Sequence, residues 1–87
     1  MGLMGRESIP AGYSMYFKDC NSIHTYFMKM PIDVIMLDAG GKIVFVRENM
    51  APWTMSFCLK AKDTLEMNTG DIKRMKLKIK DQLKIQN

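Results

Sequence analysis

Apolar residues along this chain fall into short runs broken by Pro, Gly, Asn and Asp, which is the pattern of a β protein. Two runs rich in β-branched residues, Ile32–Leu37 and Ile43–Val46, flank Asp38-Ala39-Gly40-Gly41-Lys42 and predict a hairpin. A two-residue Gly40-Gly41 loop would set Asp33 opposite Glu48, a like-charge pair. A three-residue loop, with a type I turn and Gly41 in the left-handed region, pairs Asp38 with Lys42 and sets Asp33 opposite Arg47. That cross-strand pair is worth roughly 0.2–1 kcal/mol, and Asp38 suits the first turn position, so the three-residue loop is preferred. Val34, Met36, Val44 and Val46 fall on one face, and Ile35, Leu37, Ile43 and Phe45 on the other. With both faces apolar, the hairpin is expected to be covered on both sides.

Tyr13–Lys18 reads as an earlier strand, and Asp19-Cys20-Asn21-Ser22 as a polar loop. Ile23–Met28 reads as a second strand ended by Pro31, with His24, Tyr26 and Met28 on one face. Beyond Pro52, the residues Trp53, Met55, Phe57 and Leu59 alternate with Thr54, Ser56, Cys58 and Lys60. This predicts a half-buried strand with its apolar side inward, and Leu65 and Met67 continue the same logic. The last third is ambiguous. Ile72, Met75, Ile79 and Leu83 fit a helix, while Lys76–Lys80 alternates as a strand.

Eighty-seven residues, 47% hydrophobic, make a single domain over 1–87 with a modest core. Ten methionines exceed the usual share and read first as flexible core filler. No run reaches the ~18 apolar residues of a membrane helix, and no signal-peptide pattern opens the chain. Two cysteines make no disulfide framework, which favours a reduced, cytoplasmic setting. The net charge of +4 lies wholly in residues 71–87, where six Lys/Arg face only Asp71 and Asp81. No aromatic is interleaved with these lysines, so the segment reads as a solvated face, with neither nucleic acid nor membrane as partner.

The chain also resembles a bacterial and archaeal family, domain of unknown function 192. Gly2-Leu3-Met4, Arg6-Glu7-Ser8, Phe27-Met28, Pro31-Ile32-Asp33-Val34 and Asp38 with Gly41-Lys42 carry the likeness. The run Cys20–Thr25, Glu48-Asn49, Pro52-Trp53, Leu65-Glu66, Gly70, Asp81 and Leu83 extend it nearly end to end. The resemblance implies a small antiparallel β-sandwich or barrel-like domain with one short helix near 70–76, then a turn and a last strand. It implies no activity. Relative to the family pattern, the strand and lead-in before Gly2-Leu3-Met4 are missing, so the expectation is either a trimmed form or an exposed sheet edge, with a monomer or weak edge-paired dimer. Lys76 and Lys80 stand where the family prefers glycine, and Asn68 where it prefers proline.

Candidate chemistry centres on Cys20, His24 and Thr25. A thiol and an imidazole can form a nucleophile–base pair if a third group orients the ring, and Asp33 is the candidate orienter. The plainer alternative is that His24 and Thr25 satisfy nearby backbone and Cys20 packs. Zinc would need Cys20, His24, Cys58 and a fourth ligand without paired spacing, so no metal and no cofactor is expected. Trp53 reads first as a core residue and second as the wall of a ligand groove. The function these features favour is a non-enzymatic binding or accessory module. It would hold a small ligand or a protein segment with Cys20, Ser22, His24, Thr25 and Trp53. A Cys20/His24-dependent hydrolase or thiol enzyme is the alternative, and a small polar pocket joining Cys20, Ser22, His24, Thr25 and Asp33 is the expected geometry.

Overall fold

A computed structural model describes residues 14–25 and 29–83. Six strands form, β1 Ser14–Phe17, β2 Ser22–His24, β3 Ile32–Leu37, β4 Ile43–Met50, β5 Met55–Phe57 and β6 Asp63–Asn68, followed by a single-turn helix α1, Asp71–Arg74. They build a four-stranded antiparallel sheet in the order β1-β6-β3-β4 and a two-stranded antiparallel sheet of β2 and β5. The fold is therefore mainly β, a small antiparallel sandwich with one short helix.

Three layers follow from where the apolar residues point. One face of the large sheet carries Ile32, Val34 and Met36, which pack with Ile23 of the small sheet and with Met50 and Ala61. The opposite face carries Ile35, Leu37, Ile43, Leu65 and Met67, covered by Ile72 of α1 and by Leu77 and Leu83 beyond it. All six residues of β3 are buried. The expectation that the hairpin is covered on both sides is met, because β3 is central and each of its faces has a layer to pack against.

The hairpin closes as expected. The N–H of Gly41 donates to the Asp38 carbonyl (3.0 Å) and that of Asp38 to the Lys42 carbonyl (2.9 Å). Gly41 has φ 86°, and a Cβ there would stand 2.7 Å from the Leu83 carbonyl oxygen, so conformation and space both require glycine.

The register beyond the turn differs from expectation. Leu37 pairs with Ile43, but Met36 pairs with Phe45, so Val44 is an extra residue on β4. The slip moves Arg47 from Asp33 to Val34, and the predicted Asp33–Arg47 pair does not form. A second irregularity sets Asp33 against Glu48 and Asn49, between the pairs Ile32–Met50 and Val34–Arg47.

Strand β5 is the second correction. The alternation is present, but its sense is reversed. Ser56 is buried, while Met55 and Phe57 point outward. The register supplies a reason. Ser56 pairs with Ile23 on the inward face of the small sheet, and its hydroxyl accepts a hydrogen bond from Nη1 of half-buried Arg47. A methionine or phenylalanine there would leave the guanidinium without that acceptor.

Glu66 likewise faces inward, not outward. It pairs with Val34 and Met15 in a strand buried on both sides. The predicted strand Ile23–Met28 is seen as Ser22–His24, with Tyr26, Phe27 and Met28 outside the described residues. Of the expected last strand, a single bridge, Lys42–Gln82, lies within them.

Candidate functional site

The small sheet and its end hold three of the predicted site residues, Ser22, His24 and Thr25. Ser22 and His24 sit on β2 opposite Phe57 and Met55 of β5. Cross-strand partners share a face, so Ser22, Phe57, His24 and Met55 form one outward surface. Thr25 follows β2 directly and is fully buried. Its hydroxyl accepts from the Thr54 N–H (2.7 Å) and reaches the Ala51 carbonyl (2.7 Å) and the Thr54 carbonyl (3.1 Å). Its backbone N–H donates to the Thr54 carbonyl (2.8 Å), and its own carbonyl accepts the Trp53 N–H (2.9 Å). Thr25 is thus the residue that fixes the loop leading into β5.

Trp53, expected in the core, is 63% exposed and held at φ 61°. A bulky residue in the left-handed region costs ~1–2 kcal/mol and persists only where its surroundings impose it. Here the Thr25 bonds impose it. Leu59 is 84% exposed, Phe57 63% and Met55 56%. One strand and its flanks therefore display four large apolar side chains, beside exposed His24 and half-exposed Ser22.

Cys20 lies at the entrance to β2. Its carbonyl accepts from the Thr64 hydroxyl (2.6 Å), and its thiol donates to the Ser22 carbonyl (2.9 Å). Asp33 stands at the start of β3, on the face that packs against α1. One carboxylate oxygen accepts the Asn49 N–H (2.8 Å), and the other accepts the N–H groups of Gly70 and Ile72 (3.0 Å each). The carboxylate thereby replaces the ladder bonds lost at the β4 irregularity and caps the first turn of α1. It ties three segments together.

Glu66 carries a feature that the sequence pattern conceals. It is 3% exposed, its Oε1 has no hydrogen-bond partner among the described residues, and burial pushes its carboxyl up from 4.5 to about 7. Arg47 lies on the same face one strand beyond Val34, yet no ion pair joins it to Glu66 among the described residues. Among those residues no group of three His, Cys, Asp or Glu side chains is placed to hold a metal ion. No helix there is long and apolar enough to cross a membrane.

Sequence reasoning missed Met55, Phe57 and Leu59 as surface residues. The signal available was Ser56 and Cys58 on the alternate face, small enough to pack inward.

Comparison with known proteins agrees with this fold. The model of the family described as DUF192, Uncharacterized ACR, matches residues 1–85. A protein of unknown function from Novosphingobium aromaticivorans is similar in structure, with a TM-score of 0.82 at 23% identity over 93% of this chain and 63% of its own. A putative transcription regulator from Sinorhizobium meliloti is similar with a TM-score of 0.85 at 23% identity, over 95% of this chain and 70% of its own. This chain thus spans less than two thirds of the first structure's length. At that identity the likeness shows the fold alone. No curated protein matches.

Proposed function

This chain belongs to the uncharacterised DUF192 family, and we propose that it is a non-enzymatic binding module that holds an extended, apolar segment of another protein against the outward face of β5. The observation that carries this reading is the exposed row Trp53, Met55, Phe57 and Leu59. Large apolar side chains cover ~150–250 Å² each, so exposures of 56–84% give a patch on the order of 500 Å². Patches of that size on a monomer are often functional. The shape favours a peptide over a small molecule. Small-ligand sites are concave, whereas these side chains stand on the outward face of a three-residue strand and on the turns at its two ends. Ser22 and His24 give the row a polar margin. The Cys20 thiol is engaged by the Ser22 carbonyl, which supports binding over thiol chemistry.

Trp53 is the sole tryptophan, so its fluorescence reports on the site without a label. The test titrates the protein with a panel of seven-residue peptides that alternate apolar and polar residues, against scrambled controls. The reading requires a saturable blue shift of Trp53 emission, weakened at least ~10-fold by Phe57→Asp. It fails if no peptide shifts the emission up to ~1 mM, or if Phe57→Asp binds as wild type does.

A further inference from the structure

On the far side of the large sheet, residues 71–83 form a layer of helix and turns that buries some of its apolar residues against the sheet and presents its charges to solvent. Ile72, Leu77 and Leu83 pack on the sheet, while Lys73, Arg74, Lys76, Lys78 and Lys80 are all exposed. Arg74 is paired with Asp71 and Lys78 with Asp81, at 3.1 Å each. Lys73, Lys76 and Lys80 make no ion pair among the described residues.

The backbone makes two of these three lysines unusual. Helix α1 ends with the Leu77 N–H on the Ile72 carbonyl (3.0 Å) and the Lys76 N–H on the Lys73 carbonyl (3.1 Å). This is the Schellman arrangement, and it puts Lys76, at φ 56°, in the position that glycine normally fills. Four residues on, the Asp81 N–H closes a turn on the Lys78 carbonyl (3.1 Å). Lys80, at φ 80°, takes the third position of that turn, where a type II geometry asks for glycine or asparagine. Both places suit a residue without a Cβ, and both hold a long cation pointing to solvent. Their side chains serve neither the helix end nor the turn.

We propose that residues 73–80 are a second docking surface, which takes an acidic segment of a partner protein, and that Lys76 and Lys80 are retained for that contact against the preference of the backbone. Charge complementarity selects the occupant: three uncommitted cations stand together in a short stretch on a chain of net charge +4. Met75 and Ile79, each just under half exposed, add short-range apolar contact between the lysines. A nucleic acid fits less well, because no aromatic lies within 71–83 for bases to stack on. A bilayer fits less well because Met75 and Ile79 are both more than half covered, and no aromatic within 71–83 stands beside them to enter the acyl boundary.

The test uses the whole chain and a fluorescein-labelled acidic 12-mer of Glu, Asp and Leu, followed by anisotropy. Lys76→Gly/Lys80→Gly is compared with Lys18→Ser/Lys60→Ser, which removes the same charge from exposed positions elsewhere. The proposal requires that the glycine pair melts higher than wild type and binds the peptide at least ~5-fold more weakly, while the serine pair changes binding less than ~2-fold. Wild-type binding should also weaken as salt rises. Equal peptide affinity for wild type and the glycine pair overturns it. So does an equal loss in the serine pair, which would mean net charge alone, or a lower melting temperature of the glycine pair. Tighter binding to a single-stranded 20-mer DNA or to phosphatidylcholine/phosphatidylglycerol vesicles, lost in the glycine pair, overturns it in favour of that partner class.

Discussion

Replacing Glu66 by glutamine removes one buried charge while leaving the shape of the side chain nearly unchanged. In the folded chain Glu66 is 3% exposed beside Met15 and Val34, and its Oε1 has no hydrogen-bond partner among the described residues. Arg47, a cation on the same face, is directed to Ser56. Desolvation raises the carboxyl from 4.5 to about 7, so folding favours its protonated form. A folded pKa above the unfolded one gives stability that is complete below pH 4.5 and lost as pH rises through about 7. At ~1.4 kcal/mol per tenfold change in proton binding, the full loss approaches ~3 kcal/mol. Of this, ~2.5 kcal/mol falls between about pH 5 and pH 8. For a domain of this size that corresponds to roughly 10–20 °C in melting temperature. Thermal melts of wild type and Glu66→Gln across that range should converge near pH 5 and diverge by about this amount near pH 8, with glutamine the more stable. Parallel profiles, the variant gaining no advantage at high pH, would refute the argument that a charge is being forced into the layer between the sheets.

Two further substitutions probe the parts that hold the site in place. Asp33→Asn puts an amide where a carboxylate accepts three backbone N–H groups, and unfolding in urea should show a loss of about 2–3 kcal/mol. Gly41→Ala sets a Cβ 2.7 Å from the Leu83 carbonyl at a φ of 86° and should cost at least ~2 kcal/mol, read by the same urea titration.

The hairpin was legible because turn chemistry is local. Asp38, Gly40 and Gly41 fix the loop length within five residues. The bulge at Val44 was not, since Ile43-Val44-Phe45-Val46 is uniformly strand-forming and nothing in it marks the extra residue. That single slip decides where Arg47 lands and frees Asp33 for the helix. Alternation in Trp53–Leu59 tells which side chains share a face but not which face is inward; a partner on another strand, Arg47, decides that. In the sequence Thr25 is only a polar residue near a loop. Its role depends on carbonyls 26 and 29 residues away, beyond the reach of any local pattern. Lys76 and Lys80 were visible only through the family resemblance, which asks for glycine at both, and the left-handed backbone found there gives that preference its physical cause.

The outward face of β5 can be tested without any ligand. Phe57→Asp places a charge on a side chain that is 63% exposed. If that face is displayed for binding, the stability of the variant in a urea titration stays within ~0.5 kcal/mol of wild type, as for an ordinary surface substitution. If Phe57 instead belongs to the core, the buried charge and lost packing remove more than ~3 kcal/mol, and the proposed binding face does not exist.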